Sequence, residues 1–499
     1  MKRITWVFMI LVLIASLLCL RCTCHNSHKP KNWTEYIKTS ENYVPADTTQ
    51  QIIVWRTRKD DATYLNSWLD SVHEHCGDFD ITVFCGTCDS TLMLLTGNGV
   101  RTFIQSTSGR KGGGTACAGT SSCPPTGGGD TLLWSVNYPI SLDYSIVYDS
   151  VSADSLPKIN LPNIPKQRSL APLAFTRHDT ITVAVFDTGL DTLELNNYLY
   201  HSNIEACLDT TGLANNGWNF PKRNSNVQDD YHRPYGHGEI VSRLIEEQVV
   251  HYQQNNIKIL PVKIHDSHGQ SDLFSVLCGF AYAKDRGAQV INASFGYYAL
   301  KPLAGAVDSS SLLIKGFIKH YLTDSNILLI AAAGNANTVD RDSSIKALFI
   351  NAGLPLPLDL RNLDNINFYP ASFASDPELP NVIAVTTVFE TPTSTSVSRT
   401  QNYSPRVVDI GTNADISYGS DYWFYNLKHL ERPVRGSSYA APIVTGIICS
   451  HYSAIKDNVP ANAFTKDNII DYLLKPEVGV GHVNNANHKI RKGVFLRHL

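Results

Sequence analysis

Beyond about residue 166 the chain carries five short apolar runs, at 181–186, 257–264, 290–294, 327–332 and 382–388. Runs that are apolar throughout, rather than in alternation, belong to strands buried on both faces, and such strands need a parallel sheet with helices covering each side. The intervening stretches supply that cover. Ile240, Val241, Leu244, Ile245 and Val249 have helical spacing, as do Leu273, Phe274, Val276, Leu277, Phe280 and Ala281, with Ser271 and Asp272 as capping candidates; a third pattern runs over 312–322. The expected fold class is α/β, three layers around a mostly parallel sheet. In a sheet of this kind ligands bind beyond the carboxyl ends of the strands, so the chemistry is sought there.

The 499 residues exceed one average domain, and 43% hydrophobic with 17% charged residues is a globular composition. A formal charge of -3 without a basic stripe gives no electrostatic case for nucleic acid. Lys2 and Arg3 precede an apolar run over 4–20, the pattern of an export signal, and about 17 apolar residues would also serve as an uncleaved anchor. Residues 1–24 are therefore expected to be a signal peptide or N-terminal anchor, the one link to a membrane, and the mature chain to be secreted or envelope-associated.

Eleven cysteines fit an oxidising compartment, and Cys76, Cys85, Cys88, Cys117 and Cys123 gather in the N-terminal third. Cys85-x-x-Cys88 has no second such pair or paired histidine to complete a zinc site, so disulfide or free thiols are expected and no metal. Strand-like 51–54, helical spacing through Leu65, Trp68, Leu69 and Val72, and strand-like 81–84 and 92–95 make a small α+β unit, placed at 45–150. A proline-punctuated stretch within 151–170 reads as a linker, and 171–499 as the second domain.

Three segments of that domain carry chemistry. Asp187-Thr188-Gly189 follows directly on the first strand, at the carboxyl edge of the sheet. Gly236-His237-Gly238 opens the helix through Ile240 and Leu244, and Gly436-Ser437-Ser438-Tyr439-Ala440-Ala441-Pro442 opens another through Ile443, Val444, Ile447 and Ile448. Each has a bland reading alone: a turn, a helix-start histidine, a run of small packing residues. Together they supply what a serine hydroxyl needs, a base within hydrogen-bond reach and a carboxylate that fixes the tautomer of the base.

The order Asp, His, Ser is that of subtilisin, and the surrounding residues, 183–191, Gly217-Trp218-Asn219-Phe220 with Asp229 and Asp230, and 436–442, resemble the subtilase family over roughly 175–495. The resemblance implies a serine endopeptidase with Asp187, His237 and Ser438 as triad. It implies a substrate cleft along Ser294, Phe295 and Gly296 and along Ala332, Ala333 and Gly334, with Asn335 as side-chain donor to the oxyanion. It also implies protein or peptide substrates, and that the α+β unit is an intramolecular propeptide removed near 157–170, against which a permanent binding domain competes. No cofactor is called for; calcium, which subtilases often bind, would draw on Asp191, Asp229 or Asp230, whose spacing forms no ligand pattern.

Departures are local. Glu239 replaces the threonine and Ile240 the second histidine of the family's H-G-T-H, Ser437 stands for threonine and Tyr439 for methionine, and an insertion over 337–367 reads as a long loop shaping access. Asp-Thr-Gly also marks aspartic proteases, but these need two carboxylates and no second copy occurs. Esterases and lipases of the G-x-S-x-G type place serine first in the chain. The remaining alternative, an inactive exported binding protein on the same fold, would be expected to lack one of Asp187, His237, Asn335 and Ser438, and all four are present.

Overall fold

The computed structural model describes residues 37–38, most of 50–100, 132–142, and 180–496 apart from short stretches, the longest being 302–308 and 415–423. The expected export segment, linker and cleavage region lie outside the described residues. The chain forms two compact units, Met1–Asn137 with Ala304–Ile314, and Tyr138–Leu303 with Lys315–Leu499. The division falls at Tyr138, ahead of the expected linker.

In the first unit β1 (Ile37–Lys38), β2 (Gln51–Arg56), β3 (Asp80–Thr82), β4 (Leu92–Thr96) and β5 (Leu132–Val136) form a sheet in the order β1-β3-β4-β2-β5. Helix α1 (Ala62–Cys76) lies between β2 and β3 in the chain, and its Trp68, Leu69 and Val72, spaced to share one face, are buried. Cys85 and Cys88 are each disulfide-bonded.

The second unit is built on β7 (Ile181–Asp187), β8 (Trp218–Asn219), β9 (Ile257–Lys263), β11 (Val290–Ala293), β13 (Leu328–Ala332), β15 (Val382–Glu390), β17 (Ile410–Thr412) and β21 (Val494–Leu496), all parallel. The order is β20-β21-β17-β15-β13-β11-β7-β9-β8, with β20 (Gly481–Val483) antiparallel at one edge and β16 (Thr395–Val397) antiparallel on β15. Smaller ladders join β6 (Pro139–Ser141) to β10 (Gln270–Asp272), β12 (Tyr297–Leu300) to β14 (Ile366–Tyr369), and β18 (Phe424–Leu427) to β19 (Leu430–Pro433). In the central register Val183 lies between Ile259 of β9 and Val290 of β11, all buried.

Helices α2 (His237–His251), α3 (Leu273–Asp285), α4 (Ser309–Tyr321), α5 (Val339–Asn351), α6 (Ser437–Ser450), α7 (Tyr452–Asn458) and α8 (Lys466–Leu473) fill the connections. Asp272 caps α3 by accepting from Ser275 N at 2.8 Å. Ile240, Val241, Leu244 and Ile245 of α2 and Ile443, Val444, Ile447 and Ile448 of α6 share one buried cluster with β7 and β13. That cluster fixes the two helices whose first turns carry His237 and Ser438. The insertion over 337–367 is not a loop: it contains α5, whose Ile345 and Phe349, four residues apart, are buried. Its far end is β14, antiparallel on β12.

Candidate active site

Asp187 is the last residue of β7, 1% exposed, and its Oδ1 accepts from Thr188 N at 2.8 Å and lies 2.8 Å from His237 Nδ1. Three small contacts hold the imidazole there. Thr188 Oγ1 accepts from Gly238 N and donates to Asp229, both at 2.8 Å. Asp229 Oδ2 also accepts from Glu239 N at 2.9 Å, supplying the cap that Gly236, without a side chain, cannot. A Cβ on Gly236 would come within 2.1 Å of that carboxylate, and one on Gly238 within 2.2 Å of Gly189 O. The glycines flanking His237 are therefore set by close packing around the β7–α2 junction.

Burial alone would lower the pKa of His237; the Asp187 carboxylate, by charge and hydrogen bond, outweighs burial and raises it above the ordinary histidine value. Glu239 is buried too, 2% exposed. It accepts from Asp191 N and lies 2.5 Å from Arg243 Nε. Burial first, and then the charges of Asp191, Asp229 and Glu246, push its carboxyl up to about 8, against the hydrogen bond it accepts from Asp191 N. Its oxygens thus join α2 to the loop after β7.

Ser438 is the second residue of α6 and half-buried. Pro442 lies within the same helix and has no N–H to offer the carbonyl four residues before it. Ser294 Oγ takes that place, donating to Ser438 O at 2.7 Å while accepting from Asn292 Nδ2 at 2.9 Å; Thr445 of α6 closes the chain by donating to Asn292 Oδ1 at 2.9 Å. Ser294, expected along the substrate cleft, is fully buried and spends its hydroxyl on holding the start of α6.

At the end of β13, Gly334 N donates to Ser437 Oγ at 2.9 Å, and Ser437 N and Oγ both reach Asn335 Oδ1, at 3.2 and 3.3 Å. The hydroxyl at 437 is what the junction needs, and serine supplies it as threonine would. With Oδ1 engaged, Asn335 Nδ2 is the donor left unused among the described residues. Ala332 and Ala333 are buried and back this turn, and Phe295 is 4% exposed. Gly296 abuts β14, where a Cβ would lie 2.5 Å from Tyr369 O.

The Tyr439 ring lies 5.2 Å from the His237 ring, so His237 and the first turn of α6 adjoin. Asp187 and His237 are hydrogen-bonded in place; among the described residues, Ser438 Oγ makes no hydrogen bond to the imidazole. Reading the sequence misses three supports: Asn292, Gln401, whose Oε1 accepts from Ser437 N at 2.7 Å, and Asn402, whose Nδ2 donates to Ala333 O at 2.9 Å. Of the acidic residues considered for calcium, Asp229 caps α2 and Asp230 pairs with Lys222 and Lys263, at 2.8 and 2.7 Å.

A family model described as the subtilase family matches residues 178–486. The chain belongs to the subtilase family. Over 126 residues, 24% of its length, it is 36% identical to the cell wall-associated protease of Bacillus subtilis (strain 168), and that match spans only 12% of the relative. The crystal structure of the epidermin leader peptide processing serine protease of Staphylococcus aureus superposes with a TM-score of 0.50 at 17% identity, over 90% of this chain and 96% of that one. Fervidolysin of Fervidobacterium pennivorans, described as a keratinolytic enzyme related to subtilisin, superposes at 0.51 and 15% identity, over 90% of this subtilase and 60% of that chain. At those identities the likeness is one of fold.

Proposed function

We propose that the chain is an exported serine endopeptidase that cleaves peptide bonds through an acyl-enzyme on Ser438. The observation that carries this reading is the buried 2.8 Å pair of Asp187 and His237 beside the first turn of α6. Asp187 holds Nδ1 of the ring protonated, leaving Nε2 to take the Ser438 proton as the hydroxyl attacks and to return it to the leaving amine. Negative charge on the former carbonyl oxygen meets Asn335 Nδ2 and the N–H of Ser438, one of the first-turn amides that an α-helix leaves unpaired. No step needs a metal or cofactor, and calcium, if bound, would have a structural part.

The N-terminal α+β unit is assigned as an intramolecular propeptide. In support, the segment that follows it, β6, pairs antiparallel with β10, and Leu142 N donates to Gly269 O at 2.9 Å, as an extended peptide laid along a strand edge would. The apolar run over 4–20 is assigned to export. Hydrolysis of a quenched fluorescent protein substrate tests the activity. The full chain is expected to cleave it and Ser438→Ala to have lost cleavage with its melting temperature kept; equal rates would refute the assignment and favour a binding role.

A further inference from the structure

Tyr298 has no part in the chemistry above. It lies in β12, in register with Phe368 of β14, and its half-buried ring packs against that phenylalanine with centroids 4.8 Å apart. Its hydroxyl donates to Asn335 O at 2.6 Å and accepts from Asn402 Nδ2 at 2.7 Å. The same Asn402 donates through Nδ2 to Ala333 O at 2.9 Å and through its backbone N–H to Gly334 O at 3.1 Å. Three successive carbonyls of the turn after β13 are thus each held from outside it. Gly334, at the centre, has φ +90°, and a Cβ there would lie 2.8 Å from both Asn402 Nδ2 and Phe368 Cε1. Soon after Asn335 the chain enters the insertion over 337–367, which comes back as β14 beside Tyr298. The phenol therefore grips the backbone close to where the insertion departs.

We propose that Tyr298 is a positioning residue for the oxyanion donor: by holding Asn335 O it fixes the backbone from which Asn335 Nδ2 is aimed. This rests on the endopeptidase reading. Asn335 is gripped at both ends, since Ser437 N and Oγ engage its Oδ1 while Tyr298 engages its carbonyl. A donor to developing charge is worth most when it already stands in place, because no reorganisation then accompanies the reaction. Without the phenol, Oδ1 stays tethered but the peptide group after Asn335 loses its anchor, and the Cα moves with it. A displacement of about 1 Å can cost about 10²-fold in rate. If the hydroxyl only satisfied a carbonyl, its loss would show in stability and not in turnover.

The test is a double-mutant cycle in peptide hydrolysis by the full chain, incubated until its N-terminal mass is constant: wild type, Tyr298→Phe, Asn335→Ala and the two together. Tyr298→Phe keeps the ring against Phe368 and removes the hydroxyl alone. It is expected to lower kcat about tenfold with KM little changed, and to have no further effect in the Asn335→Ala background, where no side-chain donor is left to aim. The rate of fluorophosphonate labelling at Ser438, which also develops charge on an oxygen, should follow the same cycle. Should the thermal midpoint of Tyr298→Phe fall, the cycle still decides, because a general loosening lowers the rate in both backgrounds. An unchanged kcat, a rise in KM in place of the fall in kcat, or the same fall with and without Asn335 overturns the proposal while wild-type turnover still supports the endopeptidase. Neither labelling nor turnover in the wild type overturns both.

Discussion

At the scale of single residues, several polar atoms of the site are already committed to one another. Asn335 has given its oxygen to Ser437 and kept its NH2; Asn335→Ala should lower kcat about 10²–10³-fold with little change in KM, measured by steady-state peptide hydrolysis. His237 must be neutral to accept a proton, and its pKa is raised above 6.5. Activity should accordingly climb with pH through a midpoint above 6.5 and be lost below it. Asp187→Asn removes the charge that raises the pKa and leaves burial, which lowers it. The acid limb of kcat/KM should move to lower pH, on a rate about 10⁴-fold smaller. Asp187, His237 and Ser438 stand out in the sequence as candidates because short flanking residues, Gly189, Gly238 and Ala440 among them, mark where backbone must pass closely. Asn292 and Gln401 act through partners far away in the chain, 153 residues for Asn292 and Thr445, and only the register of the sheet brings them together.

At the scale of elements the decisive junction is α2 against α6, since one begins with His237 and the other with Ser437-Ser438. Gly446 of α6 lies against α2 so closely that a Cβ there would sit 2.7 Å from Gln248 Cβ and 2.9 Å from Ile245 O. Gly446→Ala must push the helices apart, at about 1–3 kcal/mol. The thermal midpoint should fall, and kcat should fall more than KM rises, because the imidazole and the serine hydroxyl ride on the separated elements. The strands of this unit were readable because they are apolar on both faces. Helix α4 begins three residues before its expected start, at Ser309, since serines in a first turn give no apolar signal. Helix α5 was hidden in the same way: Val339-Asp340-Arg341-Asp342-Ser343-Ser344 reads as a loop, while Ile345 and Phe349 further along are buried.

At the scale of the whole molecule, the second unit is closed at its carboxyl-terminal side by a buried charge cluster. Asp409, 1% exposed, accepts from Ala384 N at 3.0 Å and binds Lys466 of α8 and Arg491, at 3.0 and 2.6 Å. Asp409→Ala strands a buried lysine, so unfolding in denaturant should show about 3–5 kcal/mol of lost stability, far more than a surface ion pair would give. Strand β6, a three-residue strand in the unit after the boundary, was not legible in the sequence, because its pairing with β10 spans about 130 residues. The account as a whole stands on Ser438 being a hydroxyl activated by His237, and mass mapping after treatment with a fluorophosphonate reads that directly. A single adduct on Ser438, absent in Ser438→Ala and lost in His237→Ala, is the predicted result; a chain already freed of its N-terminal unit and still unlabelled would contradict it.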